Sequence, residues 1–128
     1  MEVFGYRKLV AYIKAKEVVC SVYRLLRKFP KEEQYAMCDQ LRRASVSITS
    51  NIAEGVNRYS VKDKVHFLEI AYGSLMETMS QLEIAQDLGY ITDLDLQNTE
   101  VLIADTARLI SGLQRSYCPD KTPATEKS

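Results

Sequence analysis

Apolar residues recur every three or four positions along the first part of the chain, the period of an α-helix with one buried stripe. The first such segment covers about residues 9–28, and its predicted inward positions are Tyr12, Ala15, Val19, Val22, Leu26 and Phe29. Pro30 ends this helix and opens a second one of about 28 residues, since proline suits the first turn of a helix. The predicted inward positions of the second helix are Cys38, Leu41, Ser45, Ile48, Ile52, Gly55 and Tyr59.

The second half of the chain carries two further helical patterns. The third helix is predicted to begin after the N-cap residue Ser60 and to end near Gly89, a C-cap candidate. Its main stripe contains Val61, Val65, Leu68, Tyr72, Leu75, Met79 and Leu82. A neighbouring stripe of small residues would let another helix approach closely: Ala71, Ser74, Thr78 and Ala85. The fourth helix is predicted to open at Thr92, with Leu96, Thr99, Ile103, Ile110, Leu113 and Tyr117 facing inward.

These four patterns predict an all-α protein. No segment alternates with the period of two that marks a strand, and the connections between helices are only a few residues long. Because short connections place consecutive helices antiparallel, we expect an antiparallel up-and-down four-helix bundle. The bundle is assigned to residues 1–117, and residues 118–128 are expected to form a polar, disordered tail. Gly55 weakens the second helix by about 1 kcal/mol relative to alanine, so we expect a packing reason for it.

The composition argues for a cytoplasmic protein that is not an enzyme. The 128 residues include no apolar run of membrane-spanning length and no secretory signal segment. The three cysteines form no C-x-x-C pair, which indicates a reducing compartment. His66 is the only histidine, too few for a di-iron bundle site, and no phosphate-binding glycine loop is present. We therefore expect no catalytic residue, no metal, no cofactor and no small-molecule substrate.

Charge is divided unevenly along the chain, although the formal net charge is +0. Residues 1–64 hold 13 Lys and Arg against 7 Asp and Glu, hence +6, and residues 65–128 hold 4 against 10, hence −6. The basic half could face an anionic partner, or its charges could simply be solvated helix faces. If the partner is a nucleic acid, the predicted contacts are Lys14, Arg24, Arg27, Lys28, Arg42 and Lys62.

A polar stripe runs beside the apolar stripe of the second helix. Its members recur every three or four residues: Arg43, Ser47, Asn51, Glu54 and Arg58. Ser74, Glu77 and Gln81 form a polar counterpart on the third helix. Since buried polar groups need partners, these residues could make one network that fixes helix register or seals a subunit interface. The other interpretation is an anion or ligand site. We favour the structural one, because acids and bases alternate along the stripe and could pair, Glu54 with Arg43 or Arg58.

Several longer segments carry a resemblance to a known family. They are residues 29–30, 40–48 (QLRRASVSI), 50–55 (SNIAEG), 58, 67–71, 73–75, 77, 81–82 and 87–90, and the segment NIAEG at residues 51–55 is quite specific. In these segments the chain resembles the four-helix-bundle proteins encoded by intervening sequences in bacterial large-subunit ribosomal RNA genes. The resemblance implies a ring-shaped homopentamer. A related group, the accessory proteins of diversity-generating retroelements, is thought to bind nucleic acid and a reverse transcriptase, but those relatives are strongly basic and this chain has a pI of about 6.6.

Two expectations about function follow. The first is a non-catalytic oligomeric scaffold, pentameric by resemblance, that binds a macromolecular partner. The alternative is a nucleic-acid-binding accessory protein that uses the basic face of helices one and two. Apolar residues in excess of one stripe per helix favour assembly, because they need a second surface to cover them. These residues are Tyr12, Val18, Tyr23, Tyr35, Ile70 and Leu102.

Overall fold

Four α-helices make up the fold in the computed structural model, which describes residues 3–119. They are α1 (Val10–Leu26), α2 (Met37–Val56), α3 (Val61–Asp87) and α4 (Asp93–Tyr117), with short 3-10 helices at Gly5–Lys8 and Lys31–Glu33. Each helix packs against the one before it and the one after it, and α1 also packs against α4. This order closes an antiparallel four-helix bundle and confirms the predicted fold class. The predicted tail lies outside the described residues from position 120 onward.

The core consists of one stripe from each helix. On α1 the stripe is centred about one residue from its predicted position: Ala11, Ala15, Val18, Val22 and Leu25 are buried, and Tyr12, Val19 and Leu26 are half-buried. Val18, which the sequence placed beside the stripe, is therefore fully buried. On α2, α3 and α4 the buried apolar side chains match the prediction closely, and the largest are Leu41, Ile48, Ile52, Leu68, Leu75, Leu82 and Ile110.

Both predicted ends of the second helix are wrong. The chain does not enter α2 at Pro30, because residues 31–36 form a 3-10 turn and an irregular segment that buries no side chain. The helix begins at Met37, whose backbone N–H donates to the Glu33 carboxylate (3.4 Å). It ends at Val56, so Tyr59 lies in the connection with its side chain fully exposed and does not belong to the core.

Local capping signals place the other helix ends where the sequence predicts them. Ser60 Oγ accepts from the backbone N–H of Asp63 (3.1 Å), and Thr92 and Asp95 form a reciprocal capping box. Gly89 has φ of +81°, and the Tyr90 N–H donates to the Ala85 carbonyl (2.9 Å). This is a Schellman motif, which favours glycine because the residue that follows the helix must adopt a left-handed backbone conformation.

Three polar contacts tie the helices together around the core. Ser21 and Thr99 hydroxyls lie 2.6 Å apart between α1 and α4. Lys28 Nζ donates to both oxygens of Asp95 (2.7 and 2.9 Å), and this hydrogen bond holds the pKa of Asp95 below its usual range. The Tyr90 hydroxyl donates to Glu33 (2.9 Å), which raises the pKa of Tyr90 and links the two connections at that end of the bundle.

Apolar side chains also remain on the outside of the bundle. Of the residues predicted to be in excess of the core, Tyr23, Tyr35 and Ile70 are exposed, whereas Tyr12 and Leu102 are half-buried against the core. Val61, predicted to face inward, is exposed at the first position of α3. Within residues 3–119, none of the helices is both long and apolar enough to cross a membrane.

Candidate functional site: the polar seam between α2 and α3

A short chain of hydrogen bonds crosses the middle of the α2–α3 contact. Ser47 Oγ on α2 lies 2.9 Å from Ser74 Oγ on α3. The Asn51 amide donates to both the Ser47 carbonyl (2.8 Å) and the Ser47 hydroxyl (2.9 Å). Thr78, one turn beyond Ser74, donates to the Ser74 carbonyl (2.8 Å). This part of the predicted network exists, and it joins half-buried Ser47 and Asn51 of α2 to buried Ser74 and Thr78 of α3.

A second contact lies nearer the end of the bundle formed by the α3–α4 connection. Gln81 Nε2 donates to Glu77 on its own helix (3.2 Å) and to Gln40 Oε1 on α2 (3.4 Å). The other amide atom, Gln81 Oε1, is buried and accepts no hydrogen bond. Turning the amide over would bring its oxygen against the Glu77 carboxylate, so the observed orientation is the better one. Glu77 itself is exposed and reaches α2 only through Gln81.

The charged members of the stripe do not join this network. Arg43 is 81% exposed and pairs with Asp39 one turn earlier on α2 (3.0 Å). Glu54, near the end of α2, pairs with Arg58 in the α2–α3 connection, and the Arg58 guanidinium lies 4.6 Å from the centre of the Phe67 ring. Of the two partners predicted for Glu54, it therefore pairs with Arg58 and not with Arg43. Exposed pairs one turn apart contribute only about 0.3–0.5 kcal/mol each, so α2 gains little from them.

The geometry of the seam fits a structural role better than a chemical one. Hydroxyl and amide groups at its centre satisfy each other, and the two arginines pair with nearby acids, Arg43 with Asp39 and Arg58 with Glu54. A shallow polar depression beside it is lined by Ser50, Ala53, Glu54, Asn57 and Arg58. Its charged groups are already paired with each other, so an anion would have to compete with Glu54 for Arg58.

We predict that the seam contributes to stability through its hydroxyls and not through its charges. Ser47→Ala should lower the free energy of unfolding by about 1 kcal/mol, because the bonds to Ser74 and Asn51 are lost. Glu54→Ala should change it by less than that, since only an exposed ion pair disappears. Urea unfolding followed by circular dichroism measures both. A larger loss in Glu54→Ala than in Ser47→Ala would contradict this assignment.

Comparison with known proteins decides the family. The family model described as "23S rRNA-intervening sequence protein" matches residues 7–112. The chain belongs to this family. A solved structure with a similar fold is a protein of unknown function from the S23 ribosomal protein family of Bacteroides thetaiotaomicron VPI-5482. It is 23% identical, with a TM-score of 0.76, over 83% of this chain and 99% of that chain. No curated protein shows a significant match.

The family match contains the whole seam. Every stripe residue from Arg43 to Glu77 lies within residues 7–112. The segment that resembles the family most specifically, residues 50–55, includes Asn51 of the hydrogen-bond chain and Gly55 of the close helix contact. In this chain Gly55 lets α2 approach Phe67 of α3, and Asn51 hydrogen-bonds Ser47, whose hydroxyl contacts Ser74 of α3.

The basic residues proposed to contact nucleic acid do not form one surface. Arg24, Arg27 and Lys28 lie near the end of α1, and Arg42 lies in the second turn of α2. Lys62 begins α3 at the other end of the bundle, about 20 Å away at 1.5 Å per helical residue. Acids of the same chain also pair with three members of the set: Lys14 with Glu17 (3.4 Å), Lys28 with Asp95 (2.7 Å) and Arg42 with Asp39 (3.6 Å).

The connection between α2 and α3 was missed as a functional candidate. Tyr59 fits the apolar spacing of the second helix, so the sequence placed it in the core. A local signal was available, because Tyr59 stands between Arg58 and Lys62 in a segment rich in polar residues. In the structure all three side chains are exposed at one end of the bundle.

Proposed function

We propose that this protein is a non-catalytic subunit of a homo-oligomeric scaffold, pentameric as the sequence resemblance implies, that binds a macromolecular partner. The observation that carries the proposal is a set of three exposed apolar side chains on the outer side of α3 and at its C-cap residue Leu88. Ile70, Ile84 and Leu88 are 39%, 47% and 55% exposed. Their separations of fourteen and four residues place them on one side of the helix. Ile84 and Leu88 are neighbours one turn apart, and Ile70 lies about 21 Å further along the same side. Contiguous apolar surface is typical of protein–protein contacts, and the Ile84–Leu88 pair supplies it here.

The charge division along the chain supports contact between unlike faces. Because α1 and α2 are neighbours and α3 and α4 are neighbours, the basic and acidic halves occupy opposite sides of the bundle. A basic side of one copy can then meet the acidic side of the next copy. Head-to-tail contacts of this kind close into a ring when the rotation between copies permits it.

The reactive side chains support a non-catalytic role. Burial raises the pKa of the Cys38 thiol, so this cysteine is held in its protonated, unreactive form. His66 is exposed on α3, and its ring lies edge-on to Phe67 at 5.5 Å between centres.

Light scattering coupled to size-exclusion chromatography tests the assembly. We expect a mass near five copies of 14.6 kDa, about 73 kDa, at low salt. If charge pairing between copies matters, the mass should fall as salt rises, whereas a mainly apolar contact should resist salt. A mass of 14.6 kDa at every salt concentration would refute the proposal.

A further inference from the structure

The end of the bundle at which α2 leads into α3 brings together three segments that are distant in sequence. These are residues 3–9, residues 54–64 and residues 113–119, which we call the basic end. Lys64 connects two of them: its Nζ donates to the Val56 carbonyl (3.0 Å) and lies 5.2 Å from the centre of the Tyr117 ring on α4. The 3-10 helix Gly5–Lys8 packs against both α1 and α2.

Positive charge predominates at the basic end. Its cationic side chains are Arg7, Lys8, Arg58, Lys62, Lys64 and Arg115. Its acids within the same segments are Glu54, which pairs with Arg58, and Asp63, which lies in the first turn of α3. The opposite end, made of residues 27–39 and 84–96, has more acidic than basic residues. Charge is therefore also divided along the long axis of the bundle, with basic residues in excess at one end and acidic residues at the other. Counting charges by sequence halves does not show this division.

Exposed aromatic rings accompany these charges. Tyr59 is fully exposed (103%) in the α2–α3 connection, so no residue within positions 3–119 covers either face of its ring. Phe4 is 47% exposed, and the Arg7 guanidinium lies 4.6 Å from the centre of its ring. Aromatic rings beside cationic side chains are the combination with which proteins bind single strands: the rings stack on bases and the cations contact phosphates.

We propose that the basic end binds single-stranded nucleic acid, with Tyr59 stacking on a base and Lys62 contacting the phosphate backbone. This inference rests on the proposed scaffold role and names the class of its macromolecular partner. A single strand fits better than a duplex, because only unpaired bases offer a free face to Tyr59. In a ring whose copies all point the same way, the basic ends would share one rim and bind one strand together.

Fluorescence anisotropy with the full chain tests this proposal. The probes are end-labelled oligouridine and oligothymidine of about twelve nucleotides, at about 50 and 200 mM salt. We expect binding that weakens as salt rises. Tyr59→Ala should weaken it about tenfold, the usual scale for losing one stacked base. Lys62→Gln should reduce the slope of log Kd against log salt by about one, as expected when one phosphate contact is lost.

Two residues at the acidic end supply matched controls. Tyr35 is 87% exposed and Lys31 is also exposed, so Tyr35→Ala and Lys31→Gln remove the same chemical groups from the wrong end. Both control variants should bind like the parent protein. Equal losses in Tyr35→Ala and Tyr59→Ala would overturn the proposal, as would failure of the parent protein to bind either oligonucleotide at low salt.

Two further measurements separate the alternatives. If the protein binds a blunt RNA duplex as tightly as it binds the oligonucleotides, and Tyr59→Ala does not change that affinity, stacking on a single strand is refuted. Binding to phosphatidylserine vesicles without binding to either oligonucleotide would identify a membrane surface instead. Light scattering on the same samples distinguishes the two proposals. If the parent protein has the mass of an oligomer but binds neither oligonucleotide, the nucleic-acid inference alone is refuted. If it has the mass of a monomer and still binds, the oligomer alone is refuted.

Discussion

Replacing Gly55 with alanine should lower the free energy of unfolding, although alanine is the better helix former. A Cβ atom at this position would lie 2.9 Å from Phe67 Cβ and 3.2 Å from the Lys64 carbonyl oxygen. Neither atom is the free end of a flexible side chain, so α2 and α3 would have to separate at this point. Forced separation of a packed contact costs about 1–3 kcal/mol. That exceeds the gain of up to about 1 kcal/mol that alanine brings to a helix.

Gly73 provides the matched control for this experiment. It lies inside α3, and nothing outside its own helix backbone comes within 4 Å of a Cβ built there. Gly73→Ala should therefore raise the free energy of unfolding by about 0.5–1 kcal/mol, the intrinsic helix preference for alanine over glycine. Urea unfolding of both variants measures the difference. If Gly55→Ala also raises the free energy of unfolding, helix preference and not the contact with α3 decides the effect at Gly55.

Features that depend on a few neighbouring residues were predicted well from sequence. The N-caps at Ser60 and Thr92 and the left-handed Gly89 each follow from side-chain or backbone chemistry within one helical turn. The packing reason expected for Gly55 is the approach of Phe67, and the small-residue stripe of α3 is buried as predicted. In each case the local pattern and the tertiary contact require the same residue.

Two kinds of feature were predicted less well: those that depend on how a helix is rotated about its own axis, and those that depend on which of several partners a side chain pairs with. Val18 and Val19 are adjacent on α1, and a small rotation of the helix decides which one enters the core. Tyr59 continues the helical spacing, but the chain must leave α2 in time for Ser60 to cap α3. Within the seam, Arg43 could have paired with Glu54, but it pairs with Asp39, one turn earlier on its own helix. Periodicity contains none of this information.

Charging the outer side of α3 should dissociate the proposed ring. The double variant Ile70→Glu and Ile84→Glu puts two carboxylates on the side where Ile70, Ile84 and Leu88 are exposed. If this side is buried between copies, each unpaired carboxylate would be costly there. The acidic half of the chain would gain further negative charge but lose its apolar contact. We expect the mass by light scattering to fall from about 73 kDa, five copies, to 14.6 kDa.

The single subunit should survive this change, which makes the result interpretable. Both isoleucines are outside the core, so circular dichroism of the variant should show an intact helical bundle. Tyr35→Glu is the control, because it places a charge on an equally accessible residue in the α1–α2 connection, away from the sides of the bundle. It should leave the mass unchanged. A double variant that keeps the full mass would mean that α3 does not form the contact. The exposed apolar residues Tyr23 on α1 and Val101 on α4 would then be the next surfaces to charge.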